Sequence, residues 1–121
     1  MARDPQKLEV YHRAHRLALA VYRLTARLPA EERFGLQSQL RRAVVSIPAN
    51  LVEGAVRRHS TEYARFLDIA MGSAVEVRYL LDLVRDLELA AGSELDECRD
   101  LSDRVFRELH NLQRAVTAFR S

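Results

Sequence analysis

Apolar side chains recur every three or four residues along most of this chain, and little in the sequence interrupts them. The clearest run alternates spacings of four and three residues through Cys98, Ser102, Val105, Leu109, Leu112, Val116 and Phe119. This spacing places side chains on one side of a helix that packs along a neighbouring helix. Only four glycines and three prolines occur in 121 residues, so long helices are favoured. We expect an all-α protein.

Turn-forming and capping residues divide this pattern into four helices. The sequence predicts helices over about residues 6–28, 32–58, 61–90 and 94–120, within a single domain that spans residues 1–121. Pro29 is expected to end the first helix, Ser60 and Ser93 to cap the third and fourth, and Ala91-Gly92 to end the third. Because the connections are short, consecutive helices must run antiparallel, which predicts an up-down-up-down four-helix bundle.

Pro48 lies inside the predicted second helix. The apolar positions of that helix keep their spacing on both sides of the proline, from Leu36 to Ala55. A proline removes one backbone hydrogen bond and bends a helix. We therefore expect one helix that is kinked at Pro48, and not two separate helices.

Few residues show the spacing of a metal-binding or catalytic site. His12 and His15 lie one helical turn apart, but no third ligand accompanies them, and neither a glycine-rich phosphate loop nor a nucleophile motif occurs. Cys98 is the only cysteine, and no stretch of about 18 apolar residues could span a membrane. We expect a cytoplasmic protein that is not an enzyme and binds no cofactor, metal or membrane.

Charge is unevenly distributed along the chain. Residues 1–65 hold 12 basic and 6 acidic side chains, whereas residues 66–121 hold 7 and 11. A basic surface on the first two helices would attract phosphate groups, or its arginines could pair with acids of a neighbouring subunit. Since no aromatic residues interleave with these arginines, binding should be electrostatic and tolerant of sequence. The candidate nucleic-acid-binding residues are Arg13, Arg16, Arg23, Arg27, Arg41, Arg42, Arg57 and Arg58.

Helices 2 and 3 both suggest contacts between subunits. The third helix has an apolar arc wider than one core requires, which predicts either a subunit contact or the deepest helix of a monomer. The second helix has a compact polar stripe, which predicts either a packed polar contact or a solvated face. The candidate interface residues are Gln39, Ser46, Asn50, Glu53, Phe66, Ile69 and Leu80.

The run FGLQSQLRRAVVSIPANLVEG, from Phe34 to Gly54, closely resembles the signature of bacterial four-helix bundle proteins encoded in 23S rRNA intervening sequences. The resemblance extends upstream through residues 8–14 and downstream through residues 60–73. It implies a four-helix fold and a ring-shaped homopentamer, similar in fold to the accessory variability protein of diversity-generating retroelements, which contacts nucleic acid and a reverse transcriptase.

Together these features predict a non-enzymatic homo-oligomer, a pentamer by resemblance, that binds nucleic acid, with RNA preferred over DNA as the expected ligand. The alternative is a protein-binding scaffold or accessory subunit, for example of a reverse transcriptase, whose arginines serve contacts between subunits.

Overall fold

The computed structural model describes the backbone of residues 5–120 and the side chains of residues 7–117. Four long helices account for most of this part of the chain: α1 (Pro5–Thr25), α2 (Leu36–Ala55), α3 (Ser60–Asp86) and α4 (Ser93–Arg120). A single turn of 3₁₀ helix, Ala30–Glu32, precedes α2. No strand occurs within residues 5–120, and the all-α prediction is confirmed.

Each helix packs against two others, and the four form a square bundle. α1 and α3 both contact α2 and α4. Arg13 of α1 pairs with Glu108 of α4, and Arg27, just after α1, pairs with Glu94 at the start of α4, so α4 runs back along α1. The pairs Arg78–Asp103 and Asp82–Arg99 show the same antiparallel order between α3 and α4. The predicted up-down-up-down arrangement is confirmed.

The core lies along the bundle axis and takes side chains from all four helices. Residues that are almost completely buried include Leu17, Leu40, Ile47, Leu67 and Leu109, each of which stabilises the fold by about 1.5–3 kcal/mol relative to an exposed position. The predicted apolar seam of α4 is buried from Cys98 to Leu112. The Phe119 side chain lies outside the described residues.

Helix ends differ from the prediction at the connection between α1 and α2. α1 ends at Thr25 and not near residue 28, and the Thr25 hydroxyl donates to the Val21 carbonyl at 2.7 Å. Gly35 adopts φ −105° and ψ −106°, which is not helical, and separates the 3₁₀ turn from α2. α2 therefore begins at Leu36 and ends at Ala55, several residues inside the predicted bounds at each end.

α3 also ends earlier than predicted. Glu88 adopts a left-handed conformation with φ 57°, which is uncommon for a residue other than glycine. The Leu89 N–H then donates to the Val84 carbonyl at 3.0 Å, and the Glu88 N–H donates to the Arg85 carbonyl at 2.9 Å. These two bonds form a Schellman motif, so the helix ends before Ala91-Gly92.

The helix starts are displaced by one residue. Ser60 and Ser93, predicted as caps, are the first residues of α3 and α4. His59 occupies the N-cap position of α3 with extended backbone angles and makes no side-chain capping bond.

α2 continues through Pro48 as one helix of 20 residues, which confirms the prediction of a single helix. The missing N–H at Pro48 removes the bond to the Val44 carbonyl. The bend at this point stays a prediction.

Candidate nucleic-acid interface

Two of the predicted arginines, Arg13 on α1 and Arg27 in the turn after it, are ion-paired with α4. Arg13 Nε lies 3.0 Å from Glu108 Oε1, with the two side chains only 20% and 29% exposed. Arg27 Nε lies 2.7 Å from Glu94 Oε1. Acids of α4 thus match these two charges within the same chain.

Arg16 and Arg23 lie on the same edge of α1 and are exposed. Arg16 lines an open cleft of α4 together with two further arginines, Arg99 and Arg104, and four carboxylates, those of Asp96, Glu97, Asp100 and Asp103. The carboxylates outnumber the arginines, so the net charge of this cleft does not attract an anion to Arg16.

Cys98 lies beneath this edge and is completely buried. Burial raises the pKa of the Cys98 thiol to about 12, and the nearby Glu97 carboxylate adds to the rise, while Arg23 opposes it. A thiol with this pKa stays protonated near neutral pH, so Cys98 acts as a packing residue and not as a nucleophile.

Arg41 of α2 binds to α1 through hydrogen bonds. Its Nε donates to Thr25 Oγ1 at 2.8 Å, and a second guanidinium nitrogen donates to the Tyr22 carbonyl at 3.2 Å. The guanidinium also lies 4.4 Å from the centre of the Tyr22 ring. Arg42 is the next residue along α2 and is exposed.

Arg57 and Arg58 lie at the opposite end of α2, in the turn that leads to α3, where two further cations join them. The guanidinium groups of Arg57 and Arg65 lie over the Phe66 ring, 4.7 and 5.3 Å from its centre. At the start of α1, Lys7 Nζ lies 4.2 Å from the centre of the Tyr63 ring. We call Lys7, Arg57, Arg58 and Arg65 the basic pole.

The eight predicted arginines therefore do not form one continuous surface. The structure divides them among the α1–α4 edge, the Arg41–Arg42 region and the basic pole. The expectation that no aromatic rings lie among them is wrong, since Tyr22 and Phe66 contact arginines directly. Sequence reasoning missed Lys7 and Arg65; the only signal for Arg65 was its place beside Tyr63 and Phe66.

Two of the predicted interface residues on α3 are buried within the chain. Phe66 is 9% exposed and Leu80 is 4% exposed, which leaves little of either side chain for a neighbour. Most of the wide apolar arc of α3 is covered by α2 and α4, as the interpretation of α3 as the deepest helix expects. Ile69 remains 42% exposed.

The polar stripe of α2 meets α3 at its centre. Asn50 Nδ2 donates to the Ser46 carbonyl at 2.7 Å, and Ser73 Oγ donates to Ser46 Oγ at 2.8 Å. Ser46 and Asn50 are only partly exposed, whereas Gln39 and Glu53 are exposed. The small residues of this stripe thus serve the packing of α2 on α3.

Two apolar surfaces stay exposed, and of their residues only Ile69 was predicted at an interface. The first, which we call the α1–α2 apolar face, consists of Leu8, Leu19, Tyr22, Val45, Val52 and Val56. Leu8, Val52 and Val56 line a cleft of about 260 Å³ on this face. The second, the α3 outer face, consists of Ile69, Val75 and Tyr79. On α1 and on α2 the exposed residues recur at helical spacing and lie along one side of each helix. On α3, Val75 and Tyr79 are four residues apart and share a side, whereas Ile69 lies farther around the helix.

The described residues give little support to a metal site or a membrane-spanning helix. Among them, no group of three or more His, Cys, Asp or Glu side chains is placed to hold a metal ion. His12 and His15 both contact the Tyr11 ring, at centre-to-centre distances of 5.3 and 6.5 Å. No described helix has the length and apolar character needed to cross a membrane.

The family model described as 23S rRNA-intervening sequence protein matches residues 6–111, which span nearly the whole bundle. This chain belongs to that family. No curated protein matches the sequence significantly.

A solved structure of a protein with unknown function from the S23 ribosomal protein family of Bacteroides thetaiotaomicron is similar, with a TM-score of 0.81. The two chains are 22% identical over 90% of this chain and 98% of the other. The likeness supports the four-helix fold of the intervening-sequence family.

Proposed function

We propose that this chain is a non-enzymatic cytoplasmic protein that assembles into a homo-oligomeric ring, a pentamer, and binds RNA electrostatically through exposed basic side chains. The observation that carries the RNA-binding proposal is the division of the arginines. Those on α1 face the carboxylates of α4, whereas Arg42, Arg58 and Arg65 are exposed and form no ion pair with any described side chain. A basic side chain that is not paired with an acid can contact a phosphate and release the counterions that surround the RNA, and this release favours binding.

The two exposed apolar faces support assembly. A closed ring of identical subunits needs a contact between two different surfaces of the same chain. The α1–α2 apolar face and the α3 outer face supply two such surfaces.

Mixing two variants would test this contact. Val52→Glu damages the α1–α2 apolar face and Tyr79→Glu damages the α3 outer face; both positions are exposed, so each chain should fold. We expect light scattering to find monomers for each variant alone. An equal mixture should form heterodimers, because one intact contact remains between them. Rings that persist in either variant would contradict the proposed contact.

RNA binding is tested by fluorescence anisotropy with a labelled oligonucleotide. We expect the affinity to fall at least about tenfold between roughly 50 and 200 mM salt, because several phosphate contacts release counterions. Binding that does not depend on salt, or no binding at low salt, would exclude this function.

The second candidate is a protein-binding scaffold or an accessory subunit, for example of a reverse transcriptase, in which exposed arginines pair with acids of a neighbouring subunit. Asp68 and Glu76 on α3 favour this candidate, since they are exposed acids near the α3 outer face. Arg42→Glu separates the two functions, because Arg42 is exposed and forms no ion pair with a described side chain, whereas Arg41 binds Thr25 and Tyr22. A scaffold predicts that the assembly dissociates, whereas RNA binding predicts an unchanged mass and weaker RNA affinity.

A further inference from the structure

The basic pole forms where three segments of the chain meet at a close helix contact. α2 and α3 approach each other at Gly54, where a Cβ atom would lie 3.0 Å from Phe66 Cβ and 3.2 Å from Tyr63 Cδ1. This approach places the two rings at the junction of α2 and α3. α1 begins beside them, since Lys7 and Tyr63 line the same cleft as Leu51.

The two rings hold three cations close together. Arg57 and Arg65 lie over one ring, Phe66, and Lys7 lies over Tyr63. Because Arg57 and Arg65 share a ring, their charges lie within about 10 Å, the Debye length at 0.1 M salt. Their potentials therefore add at the surface. The rings also restrict the guanidinium groups, which reduces the entropy lost when a ligand binds.

Carboxylates compensate little of this charge. Glu53 lies 3.6 Å from Arg57, and both side chains are more than a third exposed. Among the described side chains, no ion pair within 4.0 Å includes Lys7, Arg58 or Arg65. The α1–α4 edge is different, because the four carboxylates that line its cleft outnumber the three arginines there.

We infer that the basic pole is the contact site for single-stranded RNA, an inference that rests on the proposed function. Lys7, Arg57, Arg58 and Arg65 bind successive phosphates. Each of these two guanidinium groups, those of Arg57 and Arg65, lies over the Phe66 ring, and a base can stack on the side exposed to solvent, as bases do on arginine planes in RNA-binding proteins. Bases inside a duplex are stacked on each other and do not offer this surface, so the site favours single strands.

The test compares two triple variants of the full chain with a labelled oligouridine and with an RNA duplex of equal length. The pole variant carries Arg57→Gln, Arg58→Gln and Arg65→Gln. The matched control removes three exposed arginines of α4 that belong to neither group, through Arg104→Gln, Arg107→Gln and Arg114→Gln. Thermal unfolding and light scattering confirm that both variants fold and assemble as the wild type does.

We expect the pole variant to lose at least about tenfold in affinity for oligouridine and its salt slope to fall by about 2, since each single-strand phosphate contact contributes about 0.7. The control variant should change less than about threefold. The wild type should prefer oligouridine to the duplex. A larger loss in the control variant, or equal affinity for the duplex, would overturn the inference while RNA binding itself stands. A wild type that binds no RNA would overturn the proposed function and this site with it.

Phe66→Leu separates stacking from charge. Leucine keeps an apolar side chain at this position but removes the ring under both guanidinium groups. We expect the affinity for oligouridine to fall severalfold while the salt slope stays unchanged, since no charge is lost. An unchanged affinity in the folded variant would show that the ring plays no part and would overturn the stacking component.

Discussion

Arg13 on α1 and Arg27, just after α1, each meet a carboxylate of α4, whereas Arg57 and Arg65 at the basic pole lie over an aromatic ring. Arg13 and Arg27 belong to the basic half of the sequence, residues 1–65, whereas their partners Glu108 and Glu94 belong to the acidic half, residues 66–121. The bundle brings these halves together, because α4 returns beside α1. The charge asymmetry along the sequence is thus largely cancelled at the α1–α4 edge. The excess of positive charge persists at the basic pole, in the turn between α2 and α3, where Glu53 is the acid that pairs with Arg57.

Gly54→Ala should have the largest effect, since it disturbs the contact on which the basic pole is built. The added Cβ would press on Phe66 and Tyr63 at 3.0 and 3.2 Å, and overpacking of this kind costs about 1–3 kcal/mol of stability. Urea unfolding measures the loss. At Gly72 a Cβ would meet nothing within 4 Å, so Gly72→Ala should stabilise the chain by about 0.5–1 kcal/mol. Equal effects at both glycines would show that α2 and α3 are not in tight contact at Gly54.

Alkaline pH probes the interior of the α1–α4 edge. Above about pH 9 the Cys98 thiol of the unfolded chain loses its proton, while the folded chain keeps it up to about pH 12. Stability should therefore fall as pH rises through this window, by about 1 kcal/mol between pH 8 and pH 10. Urea unfolding of the wild type and of Cys98→Ala isolates the thiol from other groups that titrate there. Parallel pH profiles would mean that Cys98 is not shielded from water.

Arg13→Gln tests whether the α1–α4 edge is structural. Its pair with Glu108 is mostly buried, so we expect a loss of about 1 kcal/mol in stability and little change in RNA affinity. Glu108→Gln provides the second arm of a double-mutant cycle, in which the coupling energy isolates the pair. A large loss of RNA affinity without loss of stability would remove the contrast between the edge and the pole.

Arg27→Gln should have the smallest effect. Its side chain is 71% exposed, and exposed ion pairs contribute about 0.2–1 kcal/mol at most. We expect a change near the lower limit in urea unfolding. A loss as large as that of Arg13→Gln would show that the whole edge acts as one network.

The fold could be predicted because helix spacing and short connections leave few arrangements. Helix ends were harder, since they depend on single backbone angles. α3 ends at Asp86, and Glu88 beyond it adopts a conformation that usually requires glycine. The sequence pointed instead to Gly92, which also has a positive φ. An E88G variant should fit this turn better than the natural residue does.

The candidate site was predicted only in part. Arg57 and Arg58 were identified from their charge, but Lys7 and Arg65 join them only through the packing of α1 and α3, which a single sequence does not specify. Phe66 was predicted at a subunit contact because it is apolar; in the fold it is the ring beneath two arginines. Helical spacing shows which residues share a side of one helix, but it does not show which other helix faces them.

The location of the basic pole at one end of the bundle has a consequence for any cyclic assembly. Rotational symmetry would set every copy of that end at the same height and the same distance from the axis, whatever the number of subunits. A flexible polymer could then bridge adjacent copies around a closed circular path, and each occupied subunit would raise the local concentration of the strand at the next.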